Sequence, residues 1–384
     1  MACETFYLPT VIYQGIGCFE QLGKVAASHG RKALLACGRH ALRRAGILPR
    51  ALELLSAAGV GCALYDQVEG EPTLPMVSQG IALARDQGCD LAIGLGGGSA
   101  MDVAKAVAGL LPLAGSPAEY LAGRKVERPG LPFIAVPTTA GTGAEATKNA
   151  VLIDPQQGVK TSIRHDSWFA RAALVDPALT LHAPRAVTAA AGGDALCQAI
   201  ETYVSIGASP ITDALCEDAL RRIGRSLVRV CEDGSDLAAR ADMLYGSLMG
   251  GMALANARLG AVHGMAHPLG FRYNIPHGVI CALLLPHVMA YNLPYATAKY
   301  ARIAEILGVN TSGMAAEQAA EAAVQAVAEI NRRIGIPATL RGFGVPREDW
   351  PAIIAESLPS GSLKANPRPM QAEDVQAVLE MAIG

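Results

Sequence analysis

The stretch DLAIGLGGGSAMDVAKAVAGLL, Asp90–Leu111, holds three kinds of local sequence in succession. Asp90–Leu95 is an apolar run of strand length. Gly96-Gly97-Gly98-Ser99 follows without a spacer, and Ala100–Leu111 reads as a helix. Glycine lets the backbone turn sharply and come close to a ligand, because no Cβ stands in the way. The N–H groups at the helix start then face whatever sits in the turn, and together with the helix dipole they favour a phosphate. A tight strand-to-helix turn without a ligand is the other reading. Three consecutive glycines are costly in chain entropy for a turn alone, which favours the phosphate. The segment is neither a full G-x-G-x-x-G nor a P-loop, since no Gly-Lys-Ser/Thr follows.

Working outward, Lys32–Cys37, Gly61–Tyr65 and Pro132–Val136 also read as buried strands. Helical stretches such as Leu48–Ala58 and Leu74–Gln87 separate them. Strands alternating with helices imply parallel pairing, and near-continuous apolar strands imply a sheet covered on both faces. The strand ending at Val136 runs into Pro137-Thr138-Thr139-Ala140-Gly141-Thr142-Gly143-Ala144-Glu145. Its hydroxyls and glycines lie at the carboxyl end of a strand, where ligands bind in open α/β sheets. From about Ala186 the chain turns helical, with expected helices over Ala186–Val204, Pro210–Cys231, Leu237–Ala257, Tyr295–Leu307 and Ala315–Ile334. Pro184, Pro268, Pro276, Pro286, Pro294 and Pro337 are expected to punctuate them. The expected architecture is an α/β domain with a mostly parallel sheet over residues 1–180 and an all-α domain over residues 181–384.

Composition sets bounds on partners. The 384 residues are 51% hydrophobic and 17% charged, with a formal net charge of −2. No basic run suggests nucleic acid or an anionic membrane surface. Met1–Phe6 lacks the pattern of a signal peptide, and no uninterrupted apolar stretch of about 18 residues suggests a membrane span. The nine cysteines, Cys3 among them, are odd in number and scattered, without a Cys-x-x-Cys pair. They read as small core residues in a reducing cytoplasm.

Four of the eight histidines fall between residues 263 and 287. His263 and His267 are four apart, so one helix presents both on one face. His277 follows between Pro276 and Gly278. Apolar neighbours make these imidazoles candidates for burial. Upstream, Asp194, Gln198 and Glu201 recur at helical spacing. A carboxylate with two neutral imidazoles is a plausible divalent-metal set, and core histidines satisfied by carbonyls are the alternative.

These residues, in their order, carry a resemblance. The chain resembles the iron-containing (group III) alcohol dehydrogenases, whose relatives include glycerol dehydrogenase and maleylacetate reductase. The likeness covers essentially the whole chain, from Phe6–Pro9 and Gly15–Gly17 through Gly96–Asp102, Pro137–Glu145, Val175–Pro177 with Thr180, Gly193–Glu201 and His263–Gly270 to Pro276–Gly278. It implies a dinucleotide-binding α/β domain, an all-helical domain and an active site in the cleft between them. It implies that Gly96, Gly97, Gly98 and Ser99 hold the pyrophosphate of NAD or NADP, with further cofactor contacts from Gly38, Arg39, Asp102, Thr138, Thr139, Thr142 and Lys160. It implies Fe²⁺ or Zn²⁺ on Asp194, Gln198, His263 and His277, with His267 beside the nicotinamide and His263, His267 and His277 carrying the catalysis. A homodimer and a small alcohol or aldehyde substrate go with it.

Three positions depart from the family pattern. Position 198 is Gln where metal-binding relatives usually carry His. Position 38 is Gly where NAD-preferring relatives often have Asp, and position 271 is Phe where a small residue is usual. With no carboxylate to repel a 2′-phosphate and Arg39 nearby, NADP is expected to be accepted. The expected reaction is hydride transfer between an alcohol and a nicotinamide. A metal-free carbonyl reductase resembling maleylacetate reductase, a dehydroquinate synthase-like cyclase and a non-catalytic dinucleotide sensor are the alternatives.

Overall fold

The computed structural model describes residues 4–384, so Cys3 and the start of the chain lie outside the described residues. The chain divides into two compact units. One comprises Leu8–Thr139 and Gly143–Ala183. The other comprises Pro184–Gly384 with Ala140–Thr142 and the described residues through Tyr7. The short Ala140–Thr142 segment therefore departs from the expected single boundary, because Gly141 packs against Ala191 of the helical unit.

The α/β unit is built on six strands, β1 (Val11–Gln14), β2 (Lys32–Ala36), β3 (Gly61–Tyr65), β4 (Leu91–Gly96), β5 (Phe133–Pro137) and β8 (Ala172–Val175). They run in the order β1-β8-β5-β4-β2-β3, and every pair is parallel. Strand β3 lies on one side of β2 and β4 on the other, so the chain reverses its direction of growth there. The carboxyl ends of strands flanking such a switch point are where α/β sheets bind ligands. They carry Gly38-Arg39 just beyond β2 and Gly96–Ser99 at the end of β4. Within β2 and β4 the side chains are buried on both faces, as helices on either side of a parallel sheet require.

An antiparallel hairpin, β6 (Asn149–Asp154) with β7 (Val159–Arg164), was not legible in the sequence. It is tied to the helix Gly98–Leu110 by a buried cation. Lys105 Nζ donates to the carbonyls of Ala144 and Asn149, each at 2.9 Å, and to Thr147 Oγ1 at 3.2 Å. Asp102, one turn earlier, accepts from the Val151 amide at 3.0 Å and lies 3.7 Å from Lys105. Lys160 on β7 pairs with Glu71 at 2.7 Å. Asp102 and Lys160, expected at the cofactor, are thus engaged in anchoring the hairpin. Burial pulls the Lys105 pKa below its ordinary value and pushes the buried Glu145 carboxyl up to about 7.

The helical unit contains Arg185–Val204, Pro210–Glu232, Leu237–Ala257, Ala261–Tyr273, His277–Ile306, Ala316–Ile334, Trp350–Ser357 and Ala372–Ile383. Starts are set by local chemistry, for example Ser209 and Thr212 in a reciprocal capping box on either side of Pro210. The prolines correct the sequence reading. Pro268 lies inside Ala261–Tyr273, and Pro286 and Pro294 inside His277–Ile306, which bends only at Ala296. Tertiary burial on this scale overrides a lost helix bond. Among the described residues, His277–Ile306 is the one helix long and apolar enough to cross a membrane, and its apolar side chains form part of the unit's buried core.

The Val175-Asp176-Pro177 motif has a structural function. Asp176 is buried, and its carboxylate accepts from the amides of Gly17 (2.8 Å), Phe19 (3.2 Å) and Ala178 (3.0 Å), joining the end of β8 to the loop after β1. Asp176→Ala would strand these donors, so unfolding in urea should show a loss of about 2–4 kcal/mol. A change below about 0.5 kcal/mol would remove this role.

Candidate active site

In the helical unit, three helices bring the chemistry together. Arg185–Val204 presents Asp194, Gln198 and Glu201, and His277–Ile306 begins on His277. They approach closely because Gly278 lies where a Cβ would fall 2.1 Å from the Ala190 carbonyl oxygen, and a Cβ on Gly193 would fall 2.7 Å from that of Ala282. Any side chain at 278 would push the helices apart and take His277 from Asp194. The helix Ala261–Tyr273 supplies His263 and His267.

Glu201 organises the set. Its Oε1 accepts from the Val262 amide at 2.6 Å at the start of that helix, and its Oε2 accepts from His263 Nδ1 at 2.6 Å. This fixes the imidazole with Nε2 facing Asp194 Oδ1 at 3.2 Å. The other Asp194 oxygen accepts from Gln198 Nε2 at 2.9 Å. His277 Nε2 stands 3.9 Å from Asp194 Oδ1, and the His267 ring lies 5.8 Å from that of His277. His263 is buried, whereas His267 and His277 are only half-buried, contrary to the expectation that all three are enclosed. That leaves one side of the cluster open for a substrate.

The electrostatics fit a divalent cation. A neutral His263 that donates from Nδ1 turns its Nε2 lone pair on a carboxylate oxygen, which is repulsive unless a proton or a cation lies between them. Without a cation, burial opposes protonation of His263, but Cys281 and the hydrogen bonds to Asp194 and Glu201 outweigh it and hold its pKa well above the ordinary range. Asp194, His263, His277 and Cys281 each offer a donor atom, all within 4.8 Å of one another. The Gln198 Oε1 atom is buried without a hydrogen-bond partner. Sequence reasoning named Glu201 only as a neighbour on the helix and did not name Cys281 as a site residue. The i, i+4 spacing of His277 and Cys281 was the signal that could have found the thiol.

In the α/β unit, the glycine turn has the form a phosphate needs. Gly96 has φ +152°, a conformation rare for L side chains, and the helix Gly98–Leu110 starts without a side-chain cap. Thr138 donates its amide to the Gly96 carbonyl at 2.9 Å, and a Cβ on Gly97 would stand 3.1 Å from Thr139 Oγ1. Thr138 and Thr139 therefore flank the turn, while Thr142 belongs to the helical unit. Arg39 forms a hydrogen bond with Gln67 and pairs with Glu69 at 3.4 Å, so its charge is partly engaged.

Residues 9–177 match the family described as "Iron-containing alcohol dehydrogenase", and residues 188–383 match "Fe-containing alcohol dehydrogenase family, C-terminal". The chain belongs to the iron-containing alcohol dehydrogenase family. It is 38% identical to a 1,3-propanediol dehydrogenase of Klebsiella pneumoniae, over 98% of each chain. It is 33% identical to an NAD-dependent methanol dehydrogenase of Bacillus methanolicus, over 98% of this chain and 99% of that one. A crystal structure of a 1,3-propanediol oxidoreductase superposes with a TM-score of 0.95 at 38% identity, covering 100% of both chains. As a member of this iron-containing alcohol dehydrogenase family, the chain is an oxidoreductase of alcohols and their carbonyl compounds.

Two outcomes follow from this geometry. Glu201→Gln keeps the packing but gives up the charge that orients and polarises His263. Its affinity for Zn²⁺, read by competition with a chromophoric chelator, should fall about 10–100-fold. An unchanged affinity would mean that Glu201 only closes the helix start. Gly97→Val sets a branched side chain against Thr139 in the turn, and NAD affinity by calorimetry should fall at least about tenfold, or 1.4 kcal/mol. A folded variant with undiminished affinity would take the pyrophosphate away from this turn.

Proposed function

We propose that this protein interconverts a small primary alcohol and its aldehyde by hydride transfer with NAD(H), accepts NADP(H), and uses a divalent metal held by Asp194, His263 and His277. The observation that carries the reading is the Asp194–His263–His277 cluster with Glu201 behind His263, a carboxylate–imidazole arrangement that prepares Nε2 to bind a cation. The names of the propanediol and methanol dehydrogenases support a short alcohol and, for the latter, NAD.

A bound divalent cation supplies stabilisation of negative charge on the substrate oxygen, and a bound nicotinamide supplies the hydride acceptor. The chain does the rest. Asp194, His263 and His277 fix the place of the substrate oxygen. Glu201 keeps His263 in one tautomer. His267, half-buried beside His277, gives or takes the hydroxyl proton, as an imidazole can. Gly96–Ser99 hold the pyrophosphate, with contacts from Thr138 and Thr139. Position 38 leaves the first strand without a carboxylate against a 2′-phosphate, which supports the use of NADP despite the Arg39–Glu69 pair.

A second reading, a metal-free carbonyl reductase, has one observation in its favour. The Gln198 amide donates to Asp194 and takes up part of the carboxylate a metal would use. The first reading further places the protein in the cytoplasm as a homodimer without nucleic-acid or membrane partners. Eight free cysteines among the described residues support a reducing compartment.

The test is a screen of short primary alcohols, diols and aldehydes with both cofactors. Net oxidation or reduction of the nicotinamide with at least one C1–C4 substrate is expected. The preference for NAD over NADP in kcat/KM should stay below about a hundredfold, or 2.7 kcal/mol. Absence of net cofactor turnover on every substrate would overturn the dehydrogenase reading, and a larger NAD preference would overturn the cofactor assignment alone.

A further inference from the structure

Cys281 lies one helical turn after His277, so both side chains leave the same face of one helix. The thiol is buried. Its Sγ stands 3.8 Å from His263 Nε2 and 3.7 Å from His277 Nε2. Ordinary bond lengths of about 2.3 Å to sulfur and about 2.05 Å to nitrogen place the two donors of a tetrahedral site about 3.6 Å apart. The same reckoning puts a nitrogen and an oxygen donor about 3.3 Å apart. The His263 Nε2 to Asp194 Oδ1 separation is 3.2 Å, and the wider His277 to Asp194 edge is 3.9 Å. Four of the six donor–donor separations thus lie within about 0.6 Å of those of a tetrahedral site, and all four donors, on three helices, lie within 4.8 Å of one another.

Gln198 is poorly suited to be the fourth donor. An amide oxygen is a harder and weaker ligand than imidazole or thiolate. Its NH₂ is already committed to Asp194 Oδ2, which turns the other oxygen, Oδ1, toward the two imidazoles.

We propose that Cys281 is a metal ligand in this chain, making the site Asp194, His263, His277 and Cys281, with Gln198 positioning Asp194 from outside the shell. The inference rests on the metal-dependent reading above. Cys281 binds as a thiolate, its proton passing to solvent as the sulfur–metal bond forms. A thiolate moves the preference of the site toward Zn²⁺ and Co²⁺ and away from the hard ions Mg²⁺ and Mn²⁺. It also makes the chain's departure at position 198 a change of ligand type, with no loss of a ligand.

The experiment is a Co²⁺ titration of the chelator-stripped full-length protein, followed by absorption in the near ultraviolet and the visible, and repeated for Cys281→Ser, Cys281→Ala and Cys197→Ser. Cys197 is the control because its sulfur also lies near His263, 3.9 Å from Nδ1. Wild type is expected to show a stoichiometric sulfur-to-cobalt charge-transfer band that survives Cys197→Ser. Both Cys281 variants should lose that band while keeping visible cobalt ligand-field bands, and their Zn²⁺ affinity should fall at least about tenfold. Ligand-field bands in wild type without the charge-transfer band would overturn the assignment of Cys281 and leave the metal-dependent reading standing. So would a band that persists in the Cys281 variants. No cobalt binding to wild type would overturn both. The wild-type spectrum decides the matter by itself if the variants fail to fold.

Discussion

The hydrogen bond from His263 Nδ1 to the buried Glu201 carboxylate is the constraint on which the site depends. Glu201 is buried where an unpaired carboxylate is costly, so its two oxygens need strong donors. One donor is the Val262 amide at the start of Ala261–Tyr273 and the other is the imidazole of the next residue, His263. A single side chain therefore fixes both the start of a helix and the tautomer of the ring that helix delivers. What remains on the far side of the ring is a lone pair directed at Asp194, an arrangement that calls for a positive charge.

The helical unit is arranged to keep that geometry. Gly278 lets the Arg185–Val204 and His277–Ile306 helices pack backbone to backbone, and that closeness sets the separation of Asp194 and His277. Gln198 and Cys281 then decide the character of the site, the first by turning the carboxylate and the second by supplying a soft donor. In the α/β unit, an analogous economy appears around Lys105. One buried ammonium bonds three acceptors spread from Ala144, near the end of the threonine loop, to Asn149, the first residue of β6, and so helps to fix the chain leaving the loop that flanks the glycine turn.

Much of this was legible in the sequence. The strands ending at Cys37, Tyr65, Leu95 and Val136 were readable because a buried parallel strand is an uninterrupted apolar run, and the glycine turn because no other residue takes the backbone of Gly96. Asp194, His263, His267 and His277 stood out by spacing. The edge strand β1, with Val11, Tyr13 and Gln14 exposed, has no such pattern. The β6–β7 hairpin owes its place to Lys105 and Asp102, which lie about fifty residues away in the chain. Interior prolines misled because a local rule about helix bonds yields to burial in the core. Cys281 escaped because a lone cysteine in an apolar helix reads as packing, and only the fold sets it against His263.

The central claim is that this cluster works as a metal site, and the most direct measurement is metal content against catalytic rate in one preparation as a chelator strips it. The rate with a short aldehyde should fall in step with the bound metal and return when Zn²⁺ or Fe²⁺ is restored. Full activity in protein shown to be metal-free would contradict the account and leave the histidines alone to polarise the carbonyl.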